Sequence, residues 1–279
     1  MRIALIADVH SNILALEAVL RAIKKHAPDS FISLGDQVNL GPCPRETMDL
    51  LRAENIACLH GNHERYIISA MEGNPGYAGA NFNILRFDVL HLTKEEITLP
   101  MSLEIEGVTF CHAMPDDDRF PMFDVERAIP LLKARRFDRP THIICGHGHN
   151  PTHLALPNFT MDSIGSVGCM DDGVPGTAPY AILTIENGHT GLRPYYVSYN
   201  TEEMPHLFKK SGMADFCPIM ARIACLQMMH NTDYLIQFVK QALRLSEERK
   251  EPVISQQTWE DVDAAFAWPD HVSTKDFWK

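Results

Sequence analysis

Five short stretches of this 279-residue chain carry side chains that bind metal ions or move protons. They are Asp8-Val9-His10, Gly35-Asp36, Gly61-Asn62-His63-Glu64, His112 and Gly146-His147-Gly148-His149. Carboxylate, amide and imidazole donors together suit Mn, Fe, Zn, Ni or Co better than calcium or a thiolate zinc site. So many donors exceed the needs of one tetrahedral ion and suit two ions sharing a carboxylate. Two divalent cations outweigh two carboxylates, and the surplus charge draws in a phosphoryl oxygen and lowers the pKa of a bound water to about 7. The expected chemistry is hydrolysis of a phosphate ester by a hydroxide shared between the ions. "LHGNHER" (59–65) offers His60, Asn62 and His63, and residue type alone leaves open which of them binds metal.

Each stretch follows an apolar run. "RIALIA" (2–7), "SFISL" (30–34), "IACLH" (56–60), "VTFC" (108–111) and "HIIC" (142–145) read as buried strands. "SNILALEAVLRAIKKH" (11–26), capped by Ser11, and "PRETMDLLRAE" (44–54) read as the helices between the first three. A β-α-β-α-β start implies a parallel sheet, whose carboxyl edge is where ligands bind. Gly35, Gly61 and Gly146 stand where the chain must turn off a strand. "LEIEGVTFCHA" (103–113) reads as a hairpin about Glu106-Gly107, and residues 124–135 as a helix weakened by Pro130. Residues 141–198 read as a second, more antiparallel set of strands. From residue 201 the pattern turns helical, and all three tryptophans fall there. The expected organisation is a catalytic domain over 1–200 and a helical extension over 201–279, packed on the core, beside the site or at a homo-oligomer interface.

A net charge of −11 with no basic run argues against bulk nucleic-acid binding, although metal ions still admit a small phosphorylated substrate. Seven cysteines without a C-x-x-C pair fit a reducing, cytoplasmic setting, and no run approaches membrane-spanning length. His60, His142 and His153 read as structural, and "PDDDR" (115–119) as a solvated loop. Gly165–Gly168 could offer backbone N–H groups to phosphate or simply turn the chain. The C-terminal aromatics read as core or subunit interface rather than a nucleobase platform.

The ordered motifs, D-x-H, G-D, G-N-H-E, a histidine after a strand and G-H-x-H, resemble the calcineurin-like metallophosphoesterase superfamily. "SNILALEAVL", "GDQVNLGPCP" and "GSVG" extend the resemblance to its compact bacterial branch of phosphodiesterases and dinucleoside-tetraphosphatase-like hydrolases. The resemblance implies a four-layer α/β/β/α sandwich of two mixed sheets. It implies one ion on Asp8, His10 and His149, a second on Asn62, His112 and His147, and Asp36 shared between them, with manganese favoured for activity. It makes His63 the general acid, oriented by Glu64 or Asp8, and the substrate a small phosphodiester or nucleotide. Dinucleoside polyphosphates and phosphoproteins are the alternatives, and a metal-bound module without activity is the rival from another class. One departure weakens the phosphoprotein reading: Leu40 stands where those enzymes hold phosphate with an arginine, leaving Arg45 or Arg65 as substitutes.

Overall fold

The computed structural model describes residues 1–122, 124–135, 137 and 139–279. Strands β1 (Arg2–Ile6), β2 (Ser30–Ser33) and β3 (Ala57–Cys58) alternate with helices α1 (Ile13–Ile23) and α2 (Pro44–Ala53). Helices α3 (Asn62–Met71), α4 (Asn83–His91) and α5 (Lys94–Ile97) follow. Next come β4 (Ser102–Ile105), β5 (Val108–Cys111), α6 (Val125–Ala134), β6 (Thr141–Cys145), β7 (Thr152–Leu156) and β8 (Phe159–Ser163). The long hairpin β9 (Thr177–Glu186) and β10 (His189–Ser198) precedes a helical run. That run is α7 (Met204–Lys210), α8 (Met213–Phe216), α9 (Pro218–His230), α10 (Leu235–Glu248), α11 (Gln256–Ala265) and α12 (Thr274–Phe277).

Two five-stranded mixed sheets result, ordered β10-β9-β1-β2-β3 and β4-β5-β6-β8-β7. They face each other through Ile3, Leu5, Ile32 and Leu34 on one side and Val108, Phe110 and Ile144 on the other. Helix α1 covers the outer face of the first sheet with Leu16, Val19 and Ile23, and α6 covers the second with Ala128 and Leu132. This is the four-layer sandwich. Each layer closes because a sheet or helix with one apolar face must bury it, at about 1.5–3 kcal/mol per large aliphatic side chain.

The sequence reading needs two corrections. Strands β9 and β10 join the first sheet, not a second set: β9 runs antiparallel to β1 with Leu183 opposite Ile3. A strand buried on both faces fits only inside a sheet, and β9 is buried along most of its length. Asn12, not Ser11, caps α1, its Oδ1 accepting from Ala15 N at 3.1 Å, because Ser11 is held in left-handed backbone at φ 56°. The Glu106-Gly107 turn is as expected, with φ of 51° and 78°. Helix α6 continues through Pro130.

The helices beyond residue 204 share one core with earlier elements. Phe238, Trp259, Phe266 and Trp268 cluster with Leu40, Ile84 and Phe87. The aromatics there are core, with Phe238 and Trp259 ring centroids 4.7 Å apart. No helix among the described residues is long and apolar enough to cross a membrane.

Candidate metal centre

All the motif residues lie just past the carboxyl ends of β1, β2, β3, β5 and β6, which brings them to one edge shared by the two sheets. The chain leaves the strands under strain. Asp8, His10, Asp36, His147 and His149 all take φ between 45° and 62°, a region non-glycine residues rarely enter. Each such residue costs on the order of 1–3 kcal/mol and persists only where its surroundings dictate it. Here backbone hydrogen bonds dictate it: Asp8 N donates to Gly35 O and His10 N to Asp36 O, each at 3.0 Å. Ser166 N donates to His149 O and Gly168 N to Asp8 O. With Val167 N donating to Ala7 O, the N–H groups of Ser166, Val167 and Gly168 are all spent holding the motif loops.

Donor atoms of Asp8, His10 and His149 lie within 4.8 Å of one another, and so do those of Asp36, His112 and His147. A third set, His10, Asp36 and His63, meets the same limit. His10 Nε2 and His149 Nε2 stand 3.1 Å apart. His112 Nε2 lies 2.9 Å from Asn62 Oδ1 and 3.3 Å from Asp36 Oδ2. His112 Nδ1 donates to Leu34 O at 2.9 Å, which fixes the ring and leaves Nε2 to face the cluster, the arrangement a metal-ligating histidine needs. His10 Nδ1 is buried without a hydrogen-bond partner, although an unpaired buried polar atom is costly. Imidazole nitrogens, carboxylate oxygens and an amide oxygen that converge on one another in place of hydrogen-bond donors fit divalent cations.

Electrostatics prepare the same result. Burial, with the His112 charge adding to it, pushes His147 down to about 3 and His149 to about 4, so both are neutral bases near pH 7. Burial also lowers His10. Burial would lower His112 too, but the charge of Asp36 and its hydrogen bond, then the charge of Asp8, lift it to about 10. Burial raises Asp8, with Asp36 adding to the rise, whereas for Asp36 the positive charges of His112 and His63 outweigh burial and hold it low. Bound cations would favour deprotonation of every one of these groups.

His63 stands beside this cluster. Its Nε2 lies 3.8 Å from Asp36 Oδ2, and its Nδ1 lies 2.9 Å from Asn39 Oδ1. The partner is therefore neither Glu64 nor Asp8. Glu64 caps α3 and accepts from Gly61 N, Asp36 N and Gln37 N, and burial with the neighbouring Asp36 lifts its carboxyl to about 8. Behind Asn39 stands buried Asp88, whose carboxylate accepts from Asn39 N at 3.1 Å and Asn39 Nδ2 at 2.8 Å. With Nδ2 spent on Asp88, Asn39 turns its oxygen to His63. Nδ1 must then carry the proton, and Nε2 faces the cluster. Asn39 lies in the already conspicuous "GDQVN" stretch, but nothing in the sequence marks Asp88.

Above the cluster opens a cavity of about 910 Å³, bordered by Asp36, Asn62, His63, His147 and His149. Neither proposed arginine reaches it. Arg45 is committed to Glu96 and His91 O, and Arg65 pairs with Asp118 at 2.7 Å. Asp118 is thereby part of the framework and not a solvated acid. His60 stays outside, its backbone tied to Pro100 O, and His142 and His153 share Asp162 elsewhere.

The family description "calcineurin-like phosphoesterase" matches residues 1–175, more than half of the chain. The chain belongs to that family. Among relatives of this calcineurin-like phosphoesterase, an uncharacterised protein of Methanocaldococcus jannaschii is 44% identical over 161 residues, covering 53% of this chain. The chain spans 63% of that relative's length. A metallophosphoesterase from Sphaerobacter thermophilus superposes with a TM-score of 0.60 at 29% identity, over 76% of this chain and 95% of its own. A hypothetical protein from Pyrococcus horikoshii gives 0.59 at 16% identity, over 83% and 99%, a likeness of fold.

Proposed function

We propose that this calcineurin-like phosphoesterase is a dinuclear-metal hydrolase of phosphodiesters or nucleotide-type esters, a phosphoric ester hydrolase acting in the cytoplasm. Asp8, His10 and His149 hold one divalent ion, Asn62, His112 and His147 the other, and Asp36 is shared. When bound, such ions supply Lewis acidity and a nucleophilic water at neutral pH, with manganese the cation we expect to support turnover. The chain's own residues do the rest. The strained loops fix the donors before any ligand arrives, so little reorganisation is left for the reaction. Asn39 keeps the His63 Nδ1 proton in place, which leaves Nε2 to give its proton to the departing alkoxide oxygen. The free thiols of all seven cysteines, six of them buried, accord with a reducing compartment.

The observation that carries this reading is the pair of donor sets Asp8-His10-His149 and Asp36-His112-His147, joined through the set His10-Asp36-His63. The absence of arginine along the described cavity lining disfavours phosphoprotein and polyphosphate substrates, both of which bring more negative charge than one diester.

The test is manganese-loaded protein with bis(p-nitrophenyl) phosphate. Wild type should hydrolyse it, and with diphenyl phosphate, whose phenoxide needs a proton to leave, His63→Ala should lose about 10²–10⁴-fold in kcat while keeping two ions per chain. Loss of an ion on His63→Ala would make His63 a ligand, as its place in the third donor set allows. Two bound ions with no hydrolysis of any mono- or diester would favour the inactive binding module.

A further inference from the structure

The cavity has a second wall that the family match over residues 1–175 does not supply. Ile236, Val239 and Leu243 of α10 border it, together with Tyr66, Phe82 and Leu85. Ile236, Val239 and Leu243 are spaced by three and four residues, so they form one helical stripe. Ile236 and Leu243 lie off the face that α10 buries, which carries Phe238, Ala242 and Ser246, while Val239 between them packs against the edge of the aromatic core. Ile236 and Leu243 remain 52% and 48% exposed, so two large aliphatic side chains face the cavity's open space. His63 lines the same cavity, and its ring lies 5.4 Å from that of Tyr66. Charge is sparse. Lys240 is the one lysine or arginine along the described lining, and Asp171 and Asp233 add negative charge.

Resting on the phosphoesterase reading above, we infer that α10 makes this cavity a pocket for an apolar leaving group. The substrate class is a singly charged phosphodiester with an aryl or alkyl alcohol. The group beside His63 is the one that departs, and the Tyr66 ring stands beside His63 in a cavity that the aliphatic stripe of α10 also borders. A polyphosphate chain would meet a single lysine and two carboxylates. A buried methylene is worth about 0.8 kcal/mol, or about fourfold in affinity, so an apolar alcohol of several carbons gains a decisive margin.

Calorimetry of manganese-loaded protein with methyl-, butyl- and hexylphosphonate reads this without turnover. Affinity should rise by about two- to fourfold per methylene from methyl to butyl. The double variant Ile236→Asp/Leu243→Asp, on exposed positions, should flatten that slope while metal content and the circular-dichroism spectrum match wild type. No slope in wild type, or an unchanged slope in the variant, would overturn the pocket. So would a kcat/KM for diadenosine tetraphosphate above that for bis(p-nitrophenyl) phosphate. A slope without hydrolysis of any ester would support the pocket and overturn the esterase reading, and hydrolysis without a slope would do the reverse.

Discussion

Asp88→Asn changes no volume, yet it should disable an acid it does not touch. Asp88 accepts two hydrogen bonds from Asn39, one from N and one from Nδ2, and this forces Asn39 Oδ1 toward His63 Nδ1. An asparagine at 88 has one oxygen and one NH₂. The oxygen must keep facing Asn39 N–H, so the NH₂ faces the Asn39 side chain, which flips to present its own oxygen. Asn39 Nδ2 then points at His63 Nδ1, and two donors meet whenever His63 is an imidazolium. A hydrogen bond to a charged group contributes about 1.5–3 kcal/mol, so the proton on His63 becomes scarcer by about 10- to 150-fold. The loss should depend on the leaving group. Diphenyl phosphate, whose phenoxide needs a proton, should lose that factor in kcat, and bis(p-nitrophenyl) phosphate much less. Asn39→Ala should show the same contrast, and the double variant should lose little more than either single one, because the two act as a unit. Equal losses on both esters, or losses that simply multiply in the double variant, would refute the relay. The same variant has a stability signature. Burial lifts Asp88 from 3.8 to about 7, so the folded chain holds this proton more tightly than the unfolded chain. The stabilisation is complete below about pH 4 and fades as pH rises toward 7, and Asp88→Asn removes that dependence. Its Tm relative to wild type should therefore climb between pH 5 and pH 8.

Chelation should lower Tm. Free cation at a hundred times its Kd stabilises by about 2.7 kcal/mol, roughly 4–8 °C for a chain of this size, and a scan with and without EDTA that shows no shift would count against any bound ion. Gly61→Ala should cost both metal and stability. The added Cβ would sit 2.2 Å from Asp36 Oδ1 and 2.5 Å from Asp36 N in the backbone, while φ of −116° suits any residue, so elemental analysis should fall below two ions per chain. Phe238→Ala should lower stability by about 3–5 kcal/mol, because a buried ring is lost from the cluster with Trp259, Phe266 and Trp268. Wild type should melt in one transition, since that cluster also holds Leu40, Ile84 and Phe87. Two separate transitions would mean that residues 201–279 form an independent unit, and we propose that they do not.

What could be read from sequence and what could not divide along a physical line. The donors were legible because each follows a strand whose apolar run is local, and strand ends of one parallel sheet meet whatever the details. The second sheet adds His112, His147 and His149 to the same edge by the same rule. Local pattern does not reveal which sheet receives a late hairpin: β9 and β10 read as part of a second set of strands, yet β9 pairs with β1, Leu183 opposite Ile3. Nor does it reveal partners that meet by packing alone. Asp88 reaches Asn39 across 49 residues, and α10 reaches the cavity from beyond the stretch matched by the family. Both concern selectivity among phosphate esters, and the donors themselves do not. A chain can therefore declare its chemistry in five motifs and still keep its choice of substrate in side chains that no motif contains. On the proposal above, that choice rests on the aliphatic stripe of α10, which borders the same cavity as Leu40, Asp36 and His63.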